Sequence, residues 1–218
     1  GIFGGSLYFF TENTALGITQ ASNVSFIICT APLLTTILSL LFYKSEKASK
    51  GLIYGSLLAL MGVGLIVFNG SFVLKISPIG DLLTLLAALS WAFYSLIIKK
   101  MAGRYPTVFI TRKIFFYGVL TILPAFLLHP LQPDTAVLLQ PGVLFNLLFL
   151  AVLASLICYV LWNVVLKQLG TVRASNYIYL NPLVTMIASS LILDEKITLV
   201  ALGGAACIVC GVYWAEKK

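Results

Sequence analysis

The sequence predicts an all-α integral membrane protein, and three observations predict it. Hydrophobic residues make up 60% of the 218 positions and charged residues only 10%, against roughly 25% charged in an average soluble domain. The apolar residues form eight continuous windows, at 2–19, 24–43, 51–68, 79–98, 110–128, 143–166, 174–193 and 198–214. Each is near the roughly 20 residues that cross a hydrocarbon core of about 30 Å. The positive charge falls almost wholly in every second gap between windows. A soluble fold of this composition would expose large apolar patches. In lipid every crossing must satisfy its own backbone, which leaves helices or a closed barrel. Windows this long and unbroken read as helices, because barrel strands alternate over about 10 residues.

The charge pattern fixes an orientation. Lys44, Lys47 and Lys50 occupy the second gap; Lys99, Lys100, Arg104, Arg112 and Lys113 lie in or beside the fourth; Lys167 and Arg173 lie in the sixth; Lys217 and Lys218 follow the last window. The other gaps hold only Lys75 and Lys196, so twelve of fourteen basic residues share one side. By the positive-inside rule that side is cytoplasmic, as are both ends of the chain, in a multi-pass membrane protein. The net charge of +7 is dispersed among short loops, which argues against a nucleic-acid face. Gly1 leads directly into the first window, as expected of a fragment with no signal peptide.

The first window carries Glu12, in Tyr8-Phe-Phe-Thr-Glu-Asn-Thr-Ala15. An acid at the centre of a spanning helix costs about 2.5–3.5 kcal/mol on insertion scales, and intramembrane acids mark substrate or proton pathways. One reading is a cavity-facing carboxylate that binds a proton or a cationic substrate group, with Tyr8 and Asn13 beside it. The other is a residue nearer the outer end, hydrated or bonded to Asn13 or Thr11. In the second window Pro32 removes an intrahelical bond and frees a carbonyl about four residues earlier. Pro182, directly after Asn181 and one turn beyond Tyr177, does the same in the seventh. The paired prolines are candidate gates; the bland alternative for each is a packed bend.

On the third window Gly51, Gly55 and Ala59 are four apart, as are Gly203, Cys207 and Gly211 on the eighth. Small residues at that spacing permit close helix contact, within the chain first and in a homodimer second. The fourth window opens with Asp81, suited to its helix dipole, and carries Trp91 and Tyr94 as cavity walls or packing residues. The fifth ends at His129, a surface position. On the sixth, Tyr159, Trp162, Asn163 and Leu166 share one face. An amide, an indole and a phenol together suit a pocket lining; with Lys167 nearby they also suit an interfacial aromatic belt. Cys29, Cys158, Cys207 and Cys210 read as small apolar residues, since no zinc or thioredoxin-like context surrounds them. No cofactor is implied.

The chain also repeats. An offset of 150 superposes Asn13 on Asn163, Pro32 on Pro182, Thr35 on Thr185 and Ser39 on Ser189. An offset of 149 aligns Gly55 with Gly204 and Gly62-Val63 with Gly211-Val212, whereas Ala-Ser-Asn recurs at 153 and leaves the register uncertain there. Helices one to three then match six to eight, and an interval of five helices inverts the second copy in the membrane. That is the inverted-repeat plan, with a substrate site between the copies.

Here the sequence resembles a known family. The segment 21–69, with Pro32, the Ser45-Glu46-Lys47 loop and the Gly-rich helix after it, is similar to the end of an EamA-type repeat. Residues 80–214, with Asp81, Trp91-Ala-Phe-Tyr94, Tyr159 to Asn163, Asn181-Pro182 and Asp194-Glu195-Lys196, are similar to a complete one. The resemblance is to the drug/metabolite transporter superfamily. It implies ten helices in an inverted five-plus-five repeat, of which this chain shows eight and lacks the first two. Residues 1–70 would be the truncated first repeat, 71–79 an outer linker and 80–218 the second repeat. The implied function is a permease of the bacterial inner (plasma) membrane for a small metabolite, amino acid or drug-like solute; proton coupling is the separate expectation drawn above from Glu12. A membrane enzyme is the alternative from another class, though one histidine and scattered acids do not gather at one face; a structural membrane subunit is a third.

Overall fold

The computed structural model describes residues 1–43, 49–68, 77–128, 135–192 and 197–217. The loop residues Lys44, Lys47, Lys75, His129, Asp194, Glu195, Lys196 and Lys218, and most of the 71–79 linker, lie outside them. Every regular element among the described residues is helical. In chain order these are α1 (Leu7–Ile18), α2 (Ala21–Ile28), α3 (Ala31–Phe42), α4 (Lys50–Phe68), α5 (Pro78–Ala102), α6 (Thr107–Leu128), α7 (Thr135–Leu138), α8 (Pro141–Leu148), α9 (Cys158–Leu169), α10 (Thr171–Asn176), α11 (Asn181–Ile192) and α12 (Leu199–Glu216). Wide π-helical turns precede α1, at Ile2–Ser6, and join α8 to α9, at Phe149–Ile157. Six stretches of described helix are long and apolar enough to cross a membrane: Ala21–Phe42, Lys50–Phe68, Pro78–Ala102, Thr107–Pro124, Pro141–Leu169 and Leu199–Glu216. The other two windows fold as the π turn with α1, and as α10, a 3₁₀ turn at Tyr177–Leu180 and α11.

The prolines break their helices where the sequence suggested kinks. Pro32 and Pro182 each occupy the second position of a new helix, α3 and α11, where a missing N–H costs nothing. At the first break the Thr30 N–H and hydroxyl both donate to the Ile27 carbonyl, at 2.9 and 2.6 Å. The two broken helices have matching bounds. Helix α2 begins at Ala21 and α10 at Thr171; α3 covers Ala31–Phe42 and α11 covers Asn181–Ile192, each 150 residues later. These bounds favour the offset of 150 over 153 in this part of the chain.

Short connections sort the helix ends into two groups. At one end the Thr19 hydroxyl donates to Asp81 at 3.4 Å, and the Asp81 carboxylate also takes the Ser77 N–H at 3.2 Å, capping α5. At the other, the Tyr43 hydroxyl reaches the Leu96 carbonyl at 3.2 Å, Lys99 lies over the Tyr43 ring, and Arg173 approaches Glu216 at 3.9 Å. Lys50, Lys99, Lys100, Arg104, Lys167, Arg173 and Lys217 all belong to helix ends and turns of this second group. The positive charge is therefore polarised along the bundle.

Helices α4 and α12 form the closest pair in the fold. A Cβ on Gly55 would strike the backbone of Gly211 and Ala215, and one on Gly62 would strike Gly204 and Ile208. The contact is reciprocal, since Gly204 and Gly211 meet Gly62 and Gly55 in turn. The glycine face is spent inside the bundle, and its register corrects one expectation: Gly203 faces open space, and the packed stripe of α12 runs through Gly204, Ile208 and Gly211. Against this pair lie Cys29 and Tyr179, completing a core with Ala59, Val63, Ile66 and Val212.

Candidate functional site

The site has two connected parts, an aromatic wall and a cavity, and Glu12 stands where they meet. The wall is built on α1, α5 and α9. Three- and four-residue spacing puts Trp91, Tyr94 and Ser95 on neighbouring positions of α5, and Tyr159, Trp162, Asn163 and Leu166 along α9. The Trp91 ring is the hub: its centroid lies 5.1 Å from Tyr8, 5.1 Å from Tyr94, 5.8 Å from Tyr159 and 5.8 Å from Trp162. These separations and their tilted or edge-on angles are those of favourable aromatic pairs. Trp162 therefore belongs to an interior cluster. An interfacial belt does not account for it.

Polar tips tie the wall together. The Tyr94 hydroxyl donates to Asn163 Oδ1 at 2.7 Å, and Asn163 Nδ2 donates to Thr111 Oγ1 of α6 at 2.9 Å. The Thr111 hydroxyl in turn donates to the Thr107 carbonyl at 3.0 Å. Asn163 is 1% exposed, so its amide is occupied by protein and links three helices. The Tyr159 hydroxyl donates to the Gly4 carbonyl at 2.7 Å. Gly4 has non-helical dihedrals, φ −99° and ψ 15°, and any side chain there would strike the Tyr94 ring. The kink thus lets the Tyr94 ring approach the backbone and turns a carbonyl toward Tyr159. The indole N–H groups of Trp91 and Trp162 are buried without a hydrogen-bond partner.

The cavity has a volume of about 450 Å³ and lies between the broken helices. One side is α2 with Ser22, Ser25 and Ile28; the other is the start of α11 with Asn181, Pro182 and Thr185. Cys29, Ile66, Met186 and Ala201 supply an apolar floor. Among the described residues, Glu12 is the one charged residue in the lining. Tyr8 donates to its Oε1 at 3.1 Å, which joins the carboxylate to the aromatic wall through the Tyr8–Trp91 contact. In the half of the bundle beyond the breaks, α3 packs directly on α10. Thr35, Thr36, Ser39, Thr171, Ser175 and Asn176, residues of these two helices, are all buried.

Of the residues singled out from sequence, Glu12, Asn181 and Pro182 line the cavity, while Tyr8, Trp91, Tyr94, Tyr159, Trp162 and Asn163 form the wall behind Glu12. Pro32 is buried at the break between α2 and α3. Asn13 and Tyr177 are exposed and join neither part; the Asn13 amide donates to the Phe9 carbonyl at 2.7 Å. Sequence reasoning missed Thr111, Ser22, Ser25 and Met186. Ser22 lay in the recurring Ala-Ser-Asn motif, and Thr185, which also lines the cavity, was visible as the match of Thr35.

Six helices long and apolar enough to cross a membrane, a cavity lined by Glu12 and two broken helices fit the class of membrane transporters. The model of the EamA-like transporter family matches residues 1–68 and 78–215, and the chain belongs to that family. It is 29% identical to an uncharacterized transporter of Archaeoglobus fulgidus, over 99% of this chain and 73% of the relative. It is also 29% identical to a probable amino-acid metabolite efflux pump of Salmonella typhimurium, over 79% of this chain and 60% of that one. The Bacillus subtilis transporter YcxC is 28% identical over 98% and 71% of the two chains. A crystal structure superposes with a TM-score of 0.81 at 19% identity, covering 99% of this chain and 73% of that chain, a likeness of fold.

Proposed function

We propose that the chain is the core of an inner-membrane permease that moves a small metabolite, amino acid or drug-like solute by alternating access. The observation that carries the reading is the cavity between α2 and α11, bounded by two helix breaks and holding one carboxylate. Its size suits a drug-sized solute. Broken helices at a midplane site are the usual construction of secondary transporters. The relatives' names point the same way, including the Salmonella efflux pump's.

The inverted repeat supports the alternating part of the reading. Residues 1–70 supply three helices of the first copy, 80–218 five of the second, and 71–79 the outer linker. Two supports are the matching bounds of the broken helices and the reciprocal glycine contacts. Gly55 and Gly62 match Gly204 and Gly211 at the offset of 149, and each touches the match of the other. That exchange is what a two-fold axis between α4 and α12 produces. The polarised basic residues favour a cytoplasmic location for the sealed α3–α10 end, so the cavity is on the outward half.

Liposomes containing the protein, assayed for uptake and efflux of a small-metabolite panel with and without a pH gradient, test the proposal. Selective flux of at least one solute is expected. No flux of any solute would overturn it.

A further inference from the structure

Away from the cavity, one corner of the bundle joins a cationic patch to an apolar groove. The turn between α5 and α6 and the first turns of α6 carry Arg104, Arg112 and Lys113, and the sequence has no acid between Asp81 and Asp134. We infer that this corner binds an anionic phospholipid of the cytoplasmic leaflet, its phosphate at Arg112 and Lys113 and one acyl chain in the groove between α6 and the Ile2–Ser6 turn.

The cations stand where a spanning helix ordinarily has none. Thr107–Pro124 is long and apolar enough to cross a membrane, yet Arg112 and Lys113 lie about 8 and 9 Å along it. Charged residues in such a helix normally face the bundle interior or pair with one another. Arg112 is exposed and Lys113 half-buried, and neither makes a hydrogen bond or ion pair with a described residue. The elements packed most closely on α6 are the Ile2–Ser6 turn, α9 and α5. Their one acid, Asp81, opens α5 at the opposite end. The neighbours of the two cations are rings. Arg112 lies 5.5 Å from the Phe109 centroid; Lys113 lies 5.8 Å from those of Phe109 and Phe116 and 5.7 Å from that of Tyr117. Rings at these distances supply no strong acceptor, so the N–H donors of both side chains remain for an anion. Both side chains lean toward the helix start. The proposed orientation makes that end cytoplasmic, where the anionic lipids of the leaflet gather.

The groove supplies the place for a tail. Its walls include Gly4 and Gly5, Phe9 of α1, and Phe115, Val119 and Ile122 of α6, around a volume of about 160 Å³. The lining is apolar apart from Ser6, whose hydroxyl is already engaged by Thr121 at 2.7 Å. Arg112, Phe115 and Val119 follow one another at three- and four-residue spacing and share a face of α6. From Phe115 to Ile122 the groove then continues from the cation along about 10 Å of helix. An anion followed by an apolar chain is the order of groups in a phospholipid. Free phosphate would leave the groove unused. A second copy of this chain on a two-fold axis would set the same cations against each other.

Native mass spectrometry of the full chain in detergent, titrated with dioleoylphosphatidylglycerol or dioleoylphosphatidylcholine, compares two lipids that share their tails and differ in net charge. The phosphatidylglycerol should bind about tenfold or more tightly, and excess inorganic phosphate should not displace it. Arg112→Gln combined with Lys113→Gln should remove most of that preference. Val119→Trp fills the groove and keeps the charges, and it should weaken both lipids. Lys50→Gln combined with Lys217→Gln removes the same charge from the α4 and α12 ends of the same group, and it should change neither affinity. The inference fails if the two lipids bind alike, if phosphate alone displaces the lipid, or if folded Val119→Trp protein keeps both affinities. It fails equally if the Lys50 and Lys217 pair costs as much as the Arg112 and Lys113 pair, which would mean diffuse attraction of charge without a site. The first comparison uses the unmodified chain, so it can overturn the inference even where a variant does not fold.

Discussion

The Tyr94 hydroxyl donates to Asn163 Oδ1 at 2.7 Å in a fully buried contact, joining α5 to α9 through the middle of the aromatic wall. Because Asn163 Nδ2 also donates to Thr111 of α6, one amide holds three helices in register. A buried amide so engaged is a strut that holds the wall together.

Removing it should loosen the wall before it touches affinity. Asn163→Ala leaves the Tyr94 hydroxyl and the Thr111 hydroxyl short of a partner, at a cost of about 1–3 kcal/mol. A double-mutant cycle with Tyr94→Phe should return a smaller coupling, about 0.6–1.7 kcal/mol, because membrane hydrogen bonds find substitutes. Unfolding in mixed micelles measures both. A coupling of zero, with substrate affinity reduced and stability unchanged, would return Asn163 to direct substrate binding.

The α4–α12 contact gives a sharper stability forecast. A methyl group on Gly204 or Gly211 meets backbone atoms of α4, which cannot swing aside as a side chain can. Gly204→Ala and Gly211→Ala should each cost about 1–3 kcal/mol or more, read as a lower midpoint of thermal unfolding. Gly203→Ala, one residue away and facing open space, should leave the midpoint unchanged. Equal effects at 203 and 204 would mean that α12 is rotated from its described register.

The bilayer makes some of this legible and hides the rest. Hydropathy alone located the six described stretches long and apolar enough to cross a membrane, because an apolar run of that length has few other uses, and the other two windows are helical in shorter pieces. Pro32 and Pro182 marked the helix breaks, since proline inside an apolar run removes a helix hydrogen bond, although Pro124 is accommodated within α6. The π turns before α1 and α9 were not read from the sequence, and neither was the kink at Gly4, although it falls in a Gly4-Gly5 pair, because glycine is common in membrane helices. Face assignment went half way. Tyr159, Asn163 and Leu166 are indeed one buried face of α9, but spacing on a single helix cannot say whether the amide meets a ligand or a neighbouring helix. Thr111 decided that, and it sits beside Arg112 where the sequence looked like the end of a window. The same limit separated Asn13 from Asn163: the repeat pairs them, yet one is exposed and the other is 1% exposed.

Glu12 is the place to look for proton coupling. Glu12→Gln keeps the shape of the side chain and an acceptor for the Tyr8 hydroxyl, so the fold should survive, while the exchangeable proton is lost. Flux driven by a solute gradient should persist at a reduced rate, and its dependence on a pH gradient should vanish. Proteoliposome assays at fixed outer pH with varied inner pH read this directly. An unaltered pH response in the folded variant would make Glu12 a hydrated structural residue.

The broken helices forecast which surfaces meet in the opposite state. Thr35 of α3 and Ser175 of α10 are each 0% exposed in the sealed half of the bundle. At the offset of 150 their images are Thr185 of α11 and Ser25 of α2, which line the cavity and are exposed. Under the proposed alternating access these two arrangements should exchange, α2 closing on α11 to bury Ser25 and Thr185 while α3 parts from α10. Cysteines at 25 and 185, in a chain whose Cys29, Cys158, Cys207 and Cys210 are replaced, should form a disulfide only as the protein visits that state. The bond should stop transport, and reduction should restore it. Transport that continues at full rate with the disulfide formed would show that α2 and α11 need not part, and the exchange of gates would have to be abandoned.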